Sequence, residues 1–214
     1  MRRLVSMALL ALALPLSAFA DSSNQVDFGN IGGTLTGSDA GMTLSGSTLT
    51  SVVNYDGLGT ITGNNLGSLS FSTGALISGN LQAGATFAGG GAFQIATNGT
   101  NGLPDGVIFT GSFSGDVSWQ RYILGNGLTE YTLTGPISGI LVEGNQNIAV
   151  VGLTIQLTVS VGQGSHDVIS IMIAGGNTNL TPVPEPGTLG LLGTGLIGIG
   201  ALVRQKLKPR SPER

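Results

Sequence analysis

The sequence predicts an all-β body: an antiparallel β-sandwich or jelly-roll-like domain, with an irregular β-solenoid as the alternative. Glycine supplies 37 of the 214 residues and separates short segments in which apolar and hydroxyl-bearing side chains alternate, the texture of strands joined by turns. Nowhere between residues 21 and 181 does a helix-period apolar pattern of useful length occur. Cysteine is absent, so a core must hold the body, and a chain of this size buries roughly 70% of its unfolded surface.

Taken in order, residues 1–20 read as a signal peptide removed by signal peptidase. Arg2 and Arg3 precede an apolar stretch from Leu4 to Leu16, and Ala18-Phe19-Ala20 gives the small-x-small pattern before Asp21. The stretch is shorter than the ~17 to 25 residues that cross a bilayer.

Residues 21–181 form the exported body. The clearest strand is Leu153 to Val161, where Leu153, Ile155, Leu157, Val159 and Val161 alternate with Thr154, Gln156, Thr158 and Ser160. One face is expected inside and the other wet. Val107, Phe109, Phe113, Val117 and Trp119 share a parity that Gly111 and Gly115 interrupt, suggesting a bend or bulge. Leu81, Ala83, Ala85 and Phe87 make a third run, and Val168 to Ile173 reads as a continuously buried strand. Asn98 to Gly106 holds two Asn-Gly pairs and an Asp-Gly, a strong loop signal. Four Thr-apolar-Thr triplets begin at Thr34, Thr48, Thr60 and Thr132. Their spacing lacks the fixed period of a solenoid and fits threonine on solvated strand faces.

Residues 182–186, Pro-Val-Pro-Glu-Pro, form a linker. Residues 187–203 are a charge-free apolar run with six glycines, which reads as one transmembrane helix because glycine is tolerated where the backbone has no other hydrogen-bond partner. Residues 204–214 carry Arg204, Lys206, Lys208 and Arg210. Such a basic cluster stays cytoplasmic and acts as a membrane stop, which places the body outside.

Pro184-Glu185-Pro186, the apolar run and the basic terminus, in that order, resemble the PEP-CTERM sorting tail of exosortase substrates in Gram-negative bacteria. The resemblance implies that a membrane-embedded exosortase recognises the tripeptide, cuts near it and passes the body from an inner-membrane-anchored intermediate to the cell surface or exterior. It also implies an association with exopolysaccharide and biofilm. The ending Ser211-Pro212-Glu213-Arg214 runs longer than is usual for such tails.

Charge and composition exclude several functions. Arg121 is the only cation between residues 21 and 184, against nine acids. A surface so acidic repels phosphate, which excludes nucleic acid as a partner. His166 is the only histidine and the body has no lysine. Neither a histidine metal cluster nor a Schiff-base lysine can be built. Ser165-His166-Asp167 are chain neighbours, which does not form a relay, and His166 reads as a turn residue. No cofactor is expected and the body reads as non-enzymatic. The further alternative is a cryptic glycoside hydrolase that uses two of the nine carboxylates. The oxygen-rich loop at Asn101 and Asp105 is the one candidate for a calcium ion. Tyr55, Tyr122, Tyr131 and Trp119 are the aromatics available to a carbohydrate-binding or calcium-dependent adhesion module, Tyr122 and Tyr131 being expected as strand-packing residues. Arg121 is expected to fix a strand end through an ion pair.

Overall fold

The computed structural model describes residues 25–125, 129–159 and 169–183. The candidates Ala18, Ala20, Asp21, His166, Pro184, Glu185, Pro186, Arg204, Lys206, Lys208 and Arg210, and the run 187–203, lie outside the described residues. Along the chain come β1 (Val26–Ile31), β2 (Thr34–Ser38), β3 (Gly41–Val53), a 3-10 turn at Tyr55–Gly57, β4 (Thr60–Ser72), β5 (Leu76–Asn80), β6 (Gly84–Phe87), β7 (Gly90–Asn98), β8 (Asp105–Phe113), β9 (Val117–Ile123), β10 (Thr129–Glu143), β11 (Gln146–Val159) and β12 (Ile169–Pro182). The fold is all-β and every pairing is antiparallel, as the sequence predicts.

Several strands are pieces of one longer strand. β10 pairs along one edge with β8 through residues 137–141 and with β9 through residues 129–134. β8 and β9 therefore lie end to end. In the same way β7 and β6 pair with them, and β1 and β2 share the edges of β3 and β12. The pairings then form a closed circuit: from β1 and β2 through β3, β4, β7, β8, β10 and β11 to β12, which pairs back to β1 and β2.

Local chemistry explains the breaks. Between β1 and β2, Gly32 and Gly33 take φ of 67° and 80°. There Gly32 donates to the Ile173 carbonyl and Ile173 donates to that of Gly33, at 3.1 and 3.3 Å. A Cβ on Gly33 would stand 2.5 Å from the Ser47 nitrogen and 2.7 Å from the Ser45 oxygen, so no side chain fits. The β7–β8 hairpin carries the expected loop, with Asn98 opposite Asp105 and left-handed backbone at Gly99, Asn101 and Gly102.

The core is aliphatic and aromatic. Phe71, Phe93, Phe109 and Phe113 pack at centroid distances of 5.4 to 5.9 Å. Trp119 stacks on Tyr131 at 4.8 Å. The central residues of the Thr-apolar-Thr triplets, Leu35, Leu49 and Leu133, are fully buried and Ile61 packs against the core. The flanking threonines face outward, as threonine on a solvated strand face should.

Four sequence expectations need correction. In β11 the alternation holds but its polarity is reversed: Thr154, Gln156 and Thr158 are fully buried, while Leu153, Ile155 and Leu157 are about 40% exposed. The buried polar side chains are all bonded, which is what lets them displace aliphatic ones. Val107 is exposed and Ile108 buried, because a register shift between Ile95 and Ala96 on the partner strand changes the parity at that point. The bend or bulge expected at Gly111 and Gly115 is present: Gly115 lies in the bend between β8 and β9, and the β7–β8 register shifts between Gly90 and Phe93, whose partners are Phe113 and Gly111. Gly111 faces Gly139 across the pair, and the Phe109 ring lies over both, 2.7 and 2.9 Å from where their Cβ atoms would stand. Finally, Ala83, expected on the inner parity of its run, is an exposed turn residue before β6, and the run from Val168, itself outside the described residues, to Ile173 alternates rather than staying buried: Met172 is 71% exposed beside the buried Ile173 and the partly buried Ile171.

Candidate functional site

The Pro-Val-Pro-Glu-Pro segment that the sequence singles out begins at the last residue of β12. β12 is hydrogen-bonded on both sides, with Val26 opposite Leu180 on β1 and Val150 opposite Pro182 on β11. Leu180 is fully buried, and the Asn179 amide donates to Asp27 Oδ1 at 2.7 Å. Beyond Leu180 the β1 pairing stops, so Pro182, which has no N–H to donate, closes the strand without leaving a ladder bond unmade.

This strand is locked from inside by a polar cluster that the sequence does not reveal. The amides of Asn30 on β1 and Gln156 on β11 bond reciprocally, Asn30 Nδ2 to Gln156 Oε1 at 2.8 Å and Gln156 Nε2 to Asn30 Oδ1 at 3.2 Å. Asn30 also donates to Ser47 Oγ, and Gln156 to Thr154 Oγ1, which lies 2.9 Å from Thr178 Oγ1. Three strands are thus joined across β12. Only the odd composition of β11, a glutamine and threonines between aliphatics, hints at it in the sequence.

The other candidates fall at separate places. Asn101 and Asp105 are both exposed, at the tip and the base of the β7–β8 loop. Asp105 lines a groove of about 390 Å³ with Asp56, Tyr55 and Asn145, and Asn101 is not part of it. Among the described residues no three acids or histidines converge as a metal cluster would. Asp56 and Glu143 are neighbouring acids whose charges act on each other. The Asp56 N–H donates to Glu143 Oε1 at 3.4 Å. Burial holds the Glu143 carboxyl above its usual range, with the charge of Asp56 adding to the effect and the Asp56 N–H opposing it. Tyr55 donates to the Val142 carbonyl at 2.5 Å, and burial with the nearby Glu143 and Asp56 pushes its phenol up to about 12.

Of the aromatics, Tyr131 is buried and its hydroxyl donates to the Gln82 carbonyl, while Trp119 donates to that of Leu81. Tyr122 corrects the packing expectation: it is 48% exposed on the outer face of β9, bonded to Gln120 over a second groove of about 390 Å³. Arg121 makes no ion pair among the described residues. Its register partner is Tyr131, whereas the acid Glu130 is opposite Tyr122 and so points to the other face.

Residues 182–205 match the PEP-CTERM protein-sorting motif. The chain thus carries a sorting signal, consistent with an exosortase substrate, and the match supports an exported protein sorted to the cell surface. It starts at the last residue of β12 and includes Pro184, Glu185, Pro186 and the first basic residue, Arg204. No curated protein matches the chain. No solved structure matches it either.

Proposed function

We propose that the chain is a non-enzymatic surface or matrix protein whose body reaches the cell exterior by exosortase processing. In this reading signal peptidase removes residues 1–20, and residues 187–203 hold an intermediate in the inner membrane with residues 204–214 on the cytoplasmic side. Exosortase then cuts near Pro184-Glu185-Pro186. The observation that carries the reading is the coincidence of the sorting match with the end of β12. A cut beyond Pro182 removes the tail without breaking a strand pairing. Outside the cell, the hydroxyl-rich outer faces would meet exopolysaccharide in a biofilm. The test is Glu185→Ala in the native cell, with fractionation: full-length protein should accumulate in the inner membrane and vanish from the surface. Unchanged surface display would refute sorting through the motif.

A second reading, a carbohydrate-binding module, is favoured by one feature. Tyr122, Gln120 and Arg121 line a groove with the backbone of Gly84 and Gly79, an exposed ring beside hydrogen-bonding groups. Co-sedimentation with the cell's own exopolysaccharide that Tyr122→Ala abolishes would support it over the purely structural reading.

A further inference from the structure

The outer face of β11 turns four aliphatic side chains toward solvent in a row: Val151, Leu153, Ile155 and Leu157 are 47, 41, 39 and 39% exposed. At ~3.3 Å per residue the row is about 20 Å long. The patch continues past Gly175, which is opposite Leu157, toward the exposed Ile31 and Met172. We infer that this face rests on the lipid surface of the membrane that holds the tail, keeping the body flat against the bilayer until the sorting segment is cut. The inference rests on the anchored intermediate proposed above.

Three observations select lipid over other occupants. The first is where the chain leaves the fold. Thr181 is opposite Val151 and Pro182 opposite Val150, so the tether starts at one end of the row. Gly187 is five residue steps beyond Pro182, and at ~3.5 Å per step the chain can put no more than about 18 Å between that end and the start of the apolar run. The second is size. The row is four side chains, each more than half covered, against the roughly 20–30 residues a side of a stable protein interface. A second copy in solution would therefore be held poorly, whereas a tethered body needs only a weak contact, because the linker supplies the effective concentration. The third is charge. β10, β11, β12 and β1 contain no lysine or arginine, and Glu130 and Asp27 flank the patch. Its partner is therefore the apolar interface of a neutral bilayer, not an anionic headgroup layer.

The chain has no cysteine, so single labels are clean. Full-length chains labelled with an environment-sensitive fluorophore at Thr134→Cys, Ser68→Cys or Leu196→Cys are placed in phosphatidylcholine vesicles containing spin-labelled quencher lipid. Thr134 is opposite Ile155 on the same outer face, and Ser68 is on β4, across the circuit. Quenching should be severalfold stronger at 134 than at 68. Adding Leu153→Asn and Ile155→Asn should bring position 134 down to the level of 68 with the circular dichroism unchanged, and Leu153→Thr alone serves if the pair perturbs folding. Equal quenching at 134 and 68 with strong quenching at 196 would overturn the inference and leave the anchor standing. No quenching at 196 would overturn the anchor, and the inference with it. Shielding of 134 that grows with protein concentration but not with quencher lipid would assign the face to a second copy and overturn the lipid contact.

Discussion

Asn30 and Gln156 are 126 residues apart and yet satisfy each other's amides in the core. Asn30→Ala leaves the Gln156 amide without its main partner, and should cost about 1–3 kcal/mol in urea denaturation. Replacing both by leucine should recover most of that loss, because no buried donor is then left unpaired. Glu143 gives a pH signature. Its folded pKa lies above the ordinary 4.5, so the folded state favours the protonated carboxyl. The associated stability is full below that ordinary value and is lost as pH rises through the folded one. Glu143→Gln keeps an oxygen for the Asp56 N–H. Its Tm should exceed wild type at pH 7, and the gap should close on acidification below 4.5. Tyr55 titrates in the same sense: its contribution is lost between its ordinary value of 10 and about 12, and Tyr55→Phe should remove that alkaline loss from a Tm profile.

β11 shows what a strand pattern encodes. Alternation fixes the period of two and says which residues share a face, and both features of the strand are as the sequence reads. It does not say which face is inside. That sign depends on partners far away in the chain, Asn30, Ser47 and Thr178, none of which resembles a partner for Gln156 until β1 and β12 are paired. The same reason hides the bulge that exposes Val107, since the shift lies between β7 and β8 and not within either segment. What was legible was the local chemistry: the all-β texture, the Asn-Gly loop, the buried Phe109, Phe113, Val117 and Trp119, and the Pro-Glu-Pro tail. The reversal predicts unequal costs for similar substitutions. Leu133→Ala, at a fully buried position, should cost about 2–5 kcal/mol, while Leu153→Ala should change stability by no more than ~0.5–1 kcal/mol. Gly139→Ala forces its methyl onto the Phe109 ring and the Gly111 Cα and should cost about 1–3 kcal/mol by overpacking. Chemical denaturation of the three variants checks all of these.

As a whole the molecule joins a body closed by antiparallel pairing to a tail whose sorting match begins at the body's last strand residue. Closing the circuit with β12 pairs both of its edges, so the tail is attached to the interior of the sheet rather than to a fraying edge. Cutting beyond Pro182 should therefore leave stability unchanged, whereas a truncation that removes Asn179 to Pro182 should unfold the body. The most direct measurement is mass spectrometry of the C-terminus of protein collected from the cell exterior. Peptides should end near Pro184-Glu185-Pro186, with none extending to Leu207, and the cut form should disappear when exosortase is removed. Extracellular protein that retains Leu207 would contradict the account.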